Sequence, residues 1–139
     1  MLKFIFKLLI ATTFILTFCL ERGGELKGEG KHVFYLYNKS SQATIKTLDE
    51  NQSKSFIYFK NSLKGESVEF FSEDSALKFI NDLEAEYVFC ELGEDFSCKY
   101  YYTDKIENFV IINGNKINLH LSYGKDVYTV GSPIIFGSF

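Results

Sequence analysis

Apolar and polar positions follow three different rhythms along this chain. Residues 8–20 (LLIATTFILTFCL) hold no charge and no proline, and Lys3 and Lys7 stand just before them. The run is apolar on every side, without the polar stripe of helical period that a helix on a globular core carries. A charged-then-apolar N-terminus reads as a secretion signal or a membrane anchor. The uncharged run suits the apolar region of a signal peptide and is short of the roughly 17–25 residues a spanning helix needs. Extended back to Phe4 it reaches that length, with Lys7 snorkelling toward the headgroups. For cleavage the only small-x-small exit is Thr17-Phe18-Cys19, and the bulk of Phe18 argues against a lipid-modified Cys19. A retained anchor through residues 4–20 is the favoured reading of residues 1–20, and a cleaved signal is the alternative. Lys3 and Lys7 put the N-terminal side in the cytoplasm. The remainder is then expected outside the cytoplasm, held at the cell membrane or secreted.

Residues 21–31 (ERGGELKGEGK) lose all periodicity and read as a Gly/charged tether. Residues 32–139 then alternate with the period of strands. Strands are expected at 32–37 (HVFYLY), 43–48, 56–59 (FIYF) and 66–71 (ESVEFF), with a polar loop over 49–55. Only residues 73–84 change to a helical period. Ala76, Phe79, Ile80 and Leu83 fall on one stripe, Ser72 is a good N-cap, and Glu73 and Asp74 complement the helix N-terminus. Two hairpins follow. One joins 86–92 to 96–102 around Gly93-Glu94-Asp95, and the other joins 109–112 to 116–123 through Asn113-Gly114, a type I′ turn signal. Residues 127–130 pair back across Gly124-Lys125-Asp126. The predicted class is α+β: an antiparallel sheet of five or six strands with one or two helices packed on one face.

Composition supports strands and narrows function. There are 15 Phe and 9 Tyr, no Trp, and one proline, Pro133; Phe, Tyr, Ile and Val favour strands. Without the first twenty residues the chain still suffices for one domain with one core, over residues 32–139. Setting Lys3 and Lys7 aside leaves 13 of the 15 Lys and Arg against 18 Asp and Glu, a net charge of −5 beyond the apolar run. An acidic domain without a basic stripe is a poor nucleic-acid binder, because phosphate neutralisation drives that affinity. Anionic lipid repels it too, so apolar contact must do any membrane holding.

Candidate chemistry is sparse. With a three-residue loop centred on Glu94, Cys90 faces Cys98 at a separation a disulfide accepts. An oxidising compartment would allow the bond; the other reading is a pair of reduced core thiols. Two cysteines without a nearby histidine are too few ligands for structural zinc. His120 lies opposite Leu119 and Leu121, a solvent-face or pocket-edge residue rather than a base. No serine stands in a nucleophile elbow. Glu91, Glu94 and Asp95 lack dedicated calcium spacing and read as a solvated turn. Tyr101 and Tyr102, and Phe136 in the tail 131–139, are the candidates for an exposed apolar patch, the alternative being core packing. If exposed, the tail could add to another sheet edge. No catalytic residue, metal site or cofactor is assigned.

Several stretches resemble the YwmB-like proteins of Gram-positive bacteria. They are Gly28-Glu29-Gly30 leading into HVFYLY, Ser40-Ser41-Gln42-Ala43, Lys64-Gly65-Glu66-Ser67-Val68, Ile117-Asn118-Leu119-His120-Leu121, and VGSPIIFGSF at 130–139. The resemblance implies a TATA-box-binding-protein-like fold with an N-terminal membrane segment, a curved antiparallel sheet and helices on one face. That fold has at least two helices, which implies part of a second one between Gln52 and Ser62, at the expense of the strand at Phe56. The family's biochemical role is uncharacterised, and the resemblance brings no catalytic residue and no DNA binding.

The expected function is a membrane-tethered extracytoplasmic binding or structural domain of the cell envelope, non-catalytic, acting on an envelope protein or ligand. The alternatives are a secreted small-ligand-binding protein, which would need a concave pocket edged by His120, and a hydrolytic enzyme using His120.

Overall fold

A computed structural model describes residues 1–37, 44–94 and 96–133. The apolar run forms one helix, α1 (Leu2–Cys19), none of whose residues is buried. With a mean hydropathy of 1.9 it is long and apolar enough to cross a membrane. The chain then turns directly into a strand, β1 (Leu20–Arg22).

The tether expected at 21–31 is replaced by a docked segment. β1 pairs antiparallel with β4 (Ile57–Phe59), and Leu26, the one large apolar residue in ERGGELKGEGK, is 1% exposed in the core. The backbone N–H groups of Glu25 and Leu26 donate to Glu66 Oε1. His32 Nε2 lies 2.9 Å from the Gly28 carbonyl oxygen. Glycine serves close approach here rather than flexibility: a Cβ on Gly28 would stand 2.7 Å from the Phe79 ring.

The main sheet has seven strands where five or six were expected. They are β2 (Lys31–Leu36), β3 (Thr44–Leu48), β5 (Leu63–Phe70), β6 (Glu86–Leu92), β7 (Ser97–Tyr102), β10 (Leu119–Gly124) and β11 (Val127–Ser132). Their order is β3-β2-β5-β11-β10-β7-β6, every pair antiparallel. The class is α+β as the periodicity implies.

The predicted helical stripe forms α3 (Glu73–Asp82), with Ala76, Phe79 and Ile80 buried and the Ser72 hydroxyl accepting from Ser75 N–H. It covers one face of the sheet through Val68, Phe70, Tyr101, Leu119, Leu121 and Val130. Residues of the opposite parity build the other face. There Cys98 and Tyr100 pack with Ile117 beneath the ribbon of β8 (Val110–Ile112) and β9 (Asn115–Ile117). Asn113 and Gly114 both have positive φ, as a type I′ turn requires.

Three local expectations are corrected. The polar loop at 49–55 contains α2 (Glu50–Ser55), started by a capping box in which Asp49 and Gln52 bond each other's backbone N–H. That helix supplies part of the second helix implied between Gln52 and Ser62, and the strand expected at 56–59 is present beside it as β4, followed by a single 3-10 turn at Lys60–Ser62. The strand expected over 116–123 breaks at Asn118, which is fully buried. Its side chain accepts from Thr103 N–H and donates to the Thr103 and Ile106 carbonyls.

The third correction concerns the cysteines. Tyr87 faces Tyr101, but Phe89 faces Tyr100, so the β6–β7 register shifts at Val88. Beyond this bulge Cys90 faces Lys99 and Glu91 faces Cys98. A one-residue slip sends the two cysteines to opposite faces. Cys90 is exposed and Cys98 buried, both as free thiols. Burial, then the nearby Glu91, pushes the Cys98 thiol up.

Candidate functional site

The expected site residues that lie among the described ones do not gather into one site. Tyr101 is core, packed edge-on to Tyr87 under α3, so it cannot be part of an outward patch. Tyr102 takes the opposite face, half-buried, with its hydroxyl donating to Asp104 at 2.9 Å. Phe136, Asp95 and most of the C-terminal tail lie outside the described residues. His120 does oppose Leu119 and Leu121, but it is buried rather than at a solvent face. Its ring lies flat on Tyr100 with centroids 4.6 Å apart, and Tyr100 stacks on Phe89 at 4.4 Å. The Tyr100 hydroxyl donates to Glu91 at 2.8 Å. Burial lowers the His120 imidazole to about 4, with Glu91 opposing. A ring held neutral in an aromatic stack across three strands is a packing element. Among the described residues no group of three or more His, Cys, Asp or Glu is placed to hold a metal ion.

The structure instead draws polar groups together around Glu66, at the end of the sheet next to α1. A cavity of about 890 Å³ opens there between the β1–β4 ribbon, the start of β5 and the chain after Lys105. That volume lies in the range of small-molecule sites. Glu25, Lys27, Tyr58, Lys60, Glu66 and Glu107 are among its walls.

Glu66 is 2% exposed. Its Oε1 accepts two successive backbone N–H groups, and its Oε2 is buried with no hydrogen-bond partner among the described residues. Burial pushes this carboxyl up to about 7, against the pull of the Leu26 and Glu25 N–H groups. Near neutral pH it is therefore divided between donor-bearing acid and carboxylate. Glu25 is also raised, first by burial and then by Glu107 and Glu21, with Lys60 opposing. The Tyr58 hydroxyl donates to the Gly23 carbonyl at 3.0 Å, and burial followed by Glu66 raises its pKa. Raised acids beside lysines suit a small polar ligand that carries charge of both signs.

A second cavity, about 1050 Å³, is a groove between α3 and residues 27–31. Phe70 and Phe79, 5.3 Å apart, form its floor, and Lys27, Lys31 and Lys78 stand along it. His120 lines neither cavity.

Sequence reasoning passed over Glu66, although a signal was present. Glu66, Val68 and Phe70 share one parity, which places a carboxylate in phase with two core residues. No family model matches this chain, and neither a curated protein nor a solved structure matches it.

Proposed function

We propose that the chain is a membrane-tethered, non-catalytic binding domain facing outside the cytoplasm, with its ligand site in the Glu66 cavity. The carrying observation is α1, an apolar helix that buries none of its own residues and runs into β1 without a spacer. A helix with no partner in its own domain needs an apolar medium. Lys3 and Lys7 at its start support the outward orientation of the domain. The cavity then opens beside the bilayer, where a ligand of the envelope, lipid-derived or wall-derived, is at hand. The resemblance to YwmB-like proteins belongs to the same proposal. The non-catalytic reading belongs to it as well, supported by His120, the base considered from the sequence, being held in a stack.

The test is the intact mass of the protein in membrane and medium fractions of its native cells. Full-length mass in the membrane supports the tether. A mass lacking about the first nineteen residues, found in the medium, overturns it in favour of the secreted ligand binder. That second reading has its own observation: ordered pairing begins at Leu20, so loss of residues 1–19 would leave every strand in place.

A further inference from the structure

The ribbon that follows α1 carries an apolar face with no partner among the described elements. Leu20 faces Phe59, Glu21 faces Tyr58, and Arg22 faces Ile57. Directly opposed residues share a face. Glu21 and Tyr58 therefore point one way, and Tyr58 is buried against Phe34 and Phe56. Leu20, Arg22, Ile57 and Phe59 point the other way, with Ile57 57% and Phe59 62% exposed. A two-stranded ribbon in water normally turns its polar side outward. This one turns out two large apolar residues and an arginine.

We infer that the outward face of the β1–β4 ribbon is a membrane-contact surface, with Phe59 and Ile57 entering the interfacial layer of the phospholipid bilayer and Arg22 meeting its phosphates. The inference rests on the tether proposed above and deepens it. Continuity identifies the occupant. Phe59 is in register with Leu20, the first residue after the apolar helix, so it stands at the level where the chain leaves the hydrocarbon. Ile57 is two residues farther, roughly 7 Å along the strand. The headgroup region is about 5–8 Å deep on each side. Both side chains thus fall within its depth when the ribbon continues outward from the helix through that layer. Aromatic residues favour that layer, and an acidic domain requires apolar rather than charge-driven contact. Seated this way, the ribbon would fix the mouth of the Glu66 cavity at the membrane surface.

The chain has no tryptophan, so a single introduced one reports its own surroundings. The full-length Phe59→Trp variant is reconstituted into phosphatidylcholine vesicles whose acyl chains are brominated near the headgroups. Phe71→Trp is the control: it has the same anchor, is 86% exposed, and lies at the end of β5 away from β4. We expect vesicle co-flotation of both, with quenching at position 59 at least twofold stronger than at 71. Co-flotation with equal quenching would overturn the contact surface while leaving the tether standing. Failure to co-float would overturn the tether and this inference with it. A blue shift at position 59 that grows with protein-to-lipid ratio but is not quenched by bromine would assign the face to a second copy of the chain, and so would also overturn it.

Discussion

Each face of the central sheet buries a side chain with a large pKa shift, Glu66 on one and His120 on the other, and the two respond to pH in opposite directions. On the α3 face, Glu66 accepts two backbone N–H groups and is still pushed up to about 7. On the other face, His120 lies in the aromatic stack and is lowered to about 4. In both cases burial penalises the charged form by more than the neighbours favour it. The faces differ in what surrounds the group. Glu66 joins a docked N-terminal segment to a polar cavity, whereas His120 joins strands to one another. Glu66 can change charge beside a cavity, while His120 stays neutral within its stack.

The signs follow from linkage. Glu66 has a folded pKa above its ordinary value of 4.5, so the folded state holds its proton longer. Its contribution is fully present below about 4.5 and is lost as pH rises to about 7. His120 has a folded pKa below its ordinary value of 6.5, so its contribution is present above about 6.5 and is lost as pH falls to about 4. Where the windows overlap the two slopes oppose, and the protein's stability is expected to be nearly flat between pH 4.5 and 6.5.

Truncating the docked segment should have the largest effect. Leu26→Ala is expected to cost about 2–5 kcal/mol in urea unfolding, as for a buried leucine. A loose tether would lose almost nothing, so a change below about 0.5 kcal/mol would erase the distinction between the faces. Glu66→Gln should stabilise the protein on the order of 3 kcal/mol at pH 8 and leave it unchanged at pH 4, read by thermal melts at both pH values. It should also expose the His120 slope, with stability rising from pH 4 to 6.5. His120→Phe keeps a ring on Tyr100 and removes the titration. Its stability should fall from pH 4.5 to 7, the reverse slope, over a range of similar size. The smallest effect is expected for Tyr100→Phe, which removes the hydroxyl bond to Glu91 and should cost about 1 kcal/mol. Calorimetry at pH 7 would measure it.

The sheet was legible where periodicity alone decides. The α3 stripe, the Asn113-Gly114 turn and the alternation around Leu119 and Leu121 each need only local pattern and turn chemistry. What was hidden depended on distant partners. Gly28 and Gly30 look like linker residues until Phe79 and Val68 are seen to require their lack of a Cβ. The register of Cys90 turned on a bulge at Val88 that hydrophobic pattern does not encode. α2 carries a capping box but no apolar stripe to announce it. Of the site, Tyr101 could be placed by parity only after the strand's buried face was known, and the role of Glu66 emerges only with Leu26 folded over it.

The most direct test is a carbon-13 NMR titration of the glutamate side-chain carboxyls, with the Glu66 signal assigned by its absence in Glu66→Gln. The expected midpoint is about 7. A midpoint near the ordinary value of 4.5 would mean that water reaches Glu66, that residues 23–30 do not close over it, and that the contrast between the two faces does not exist.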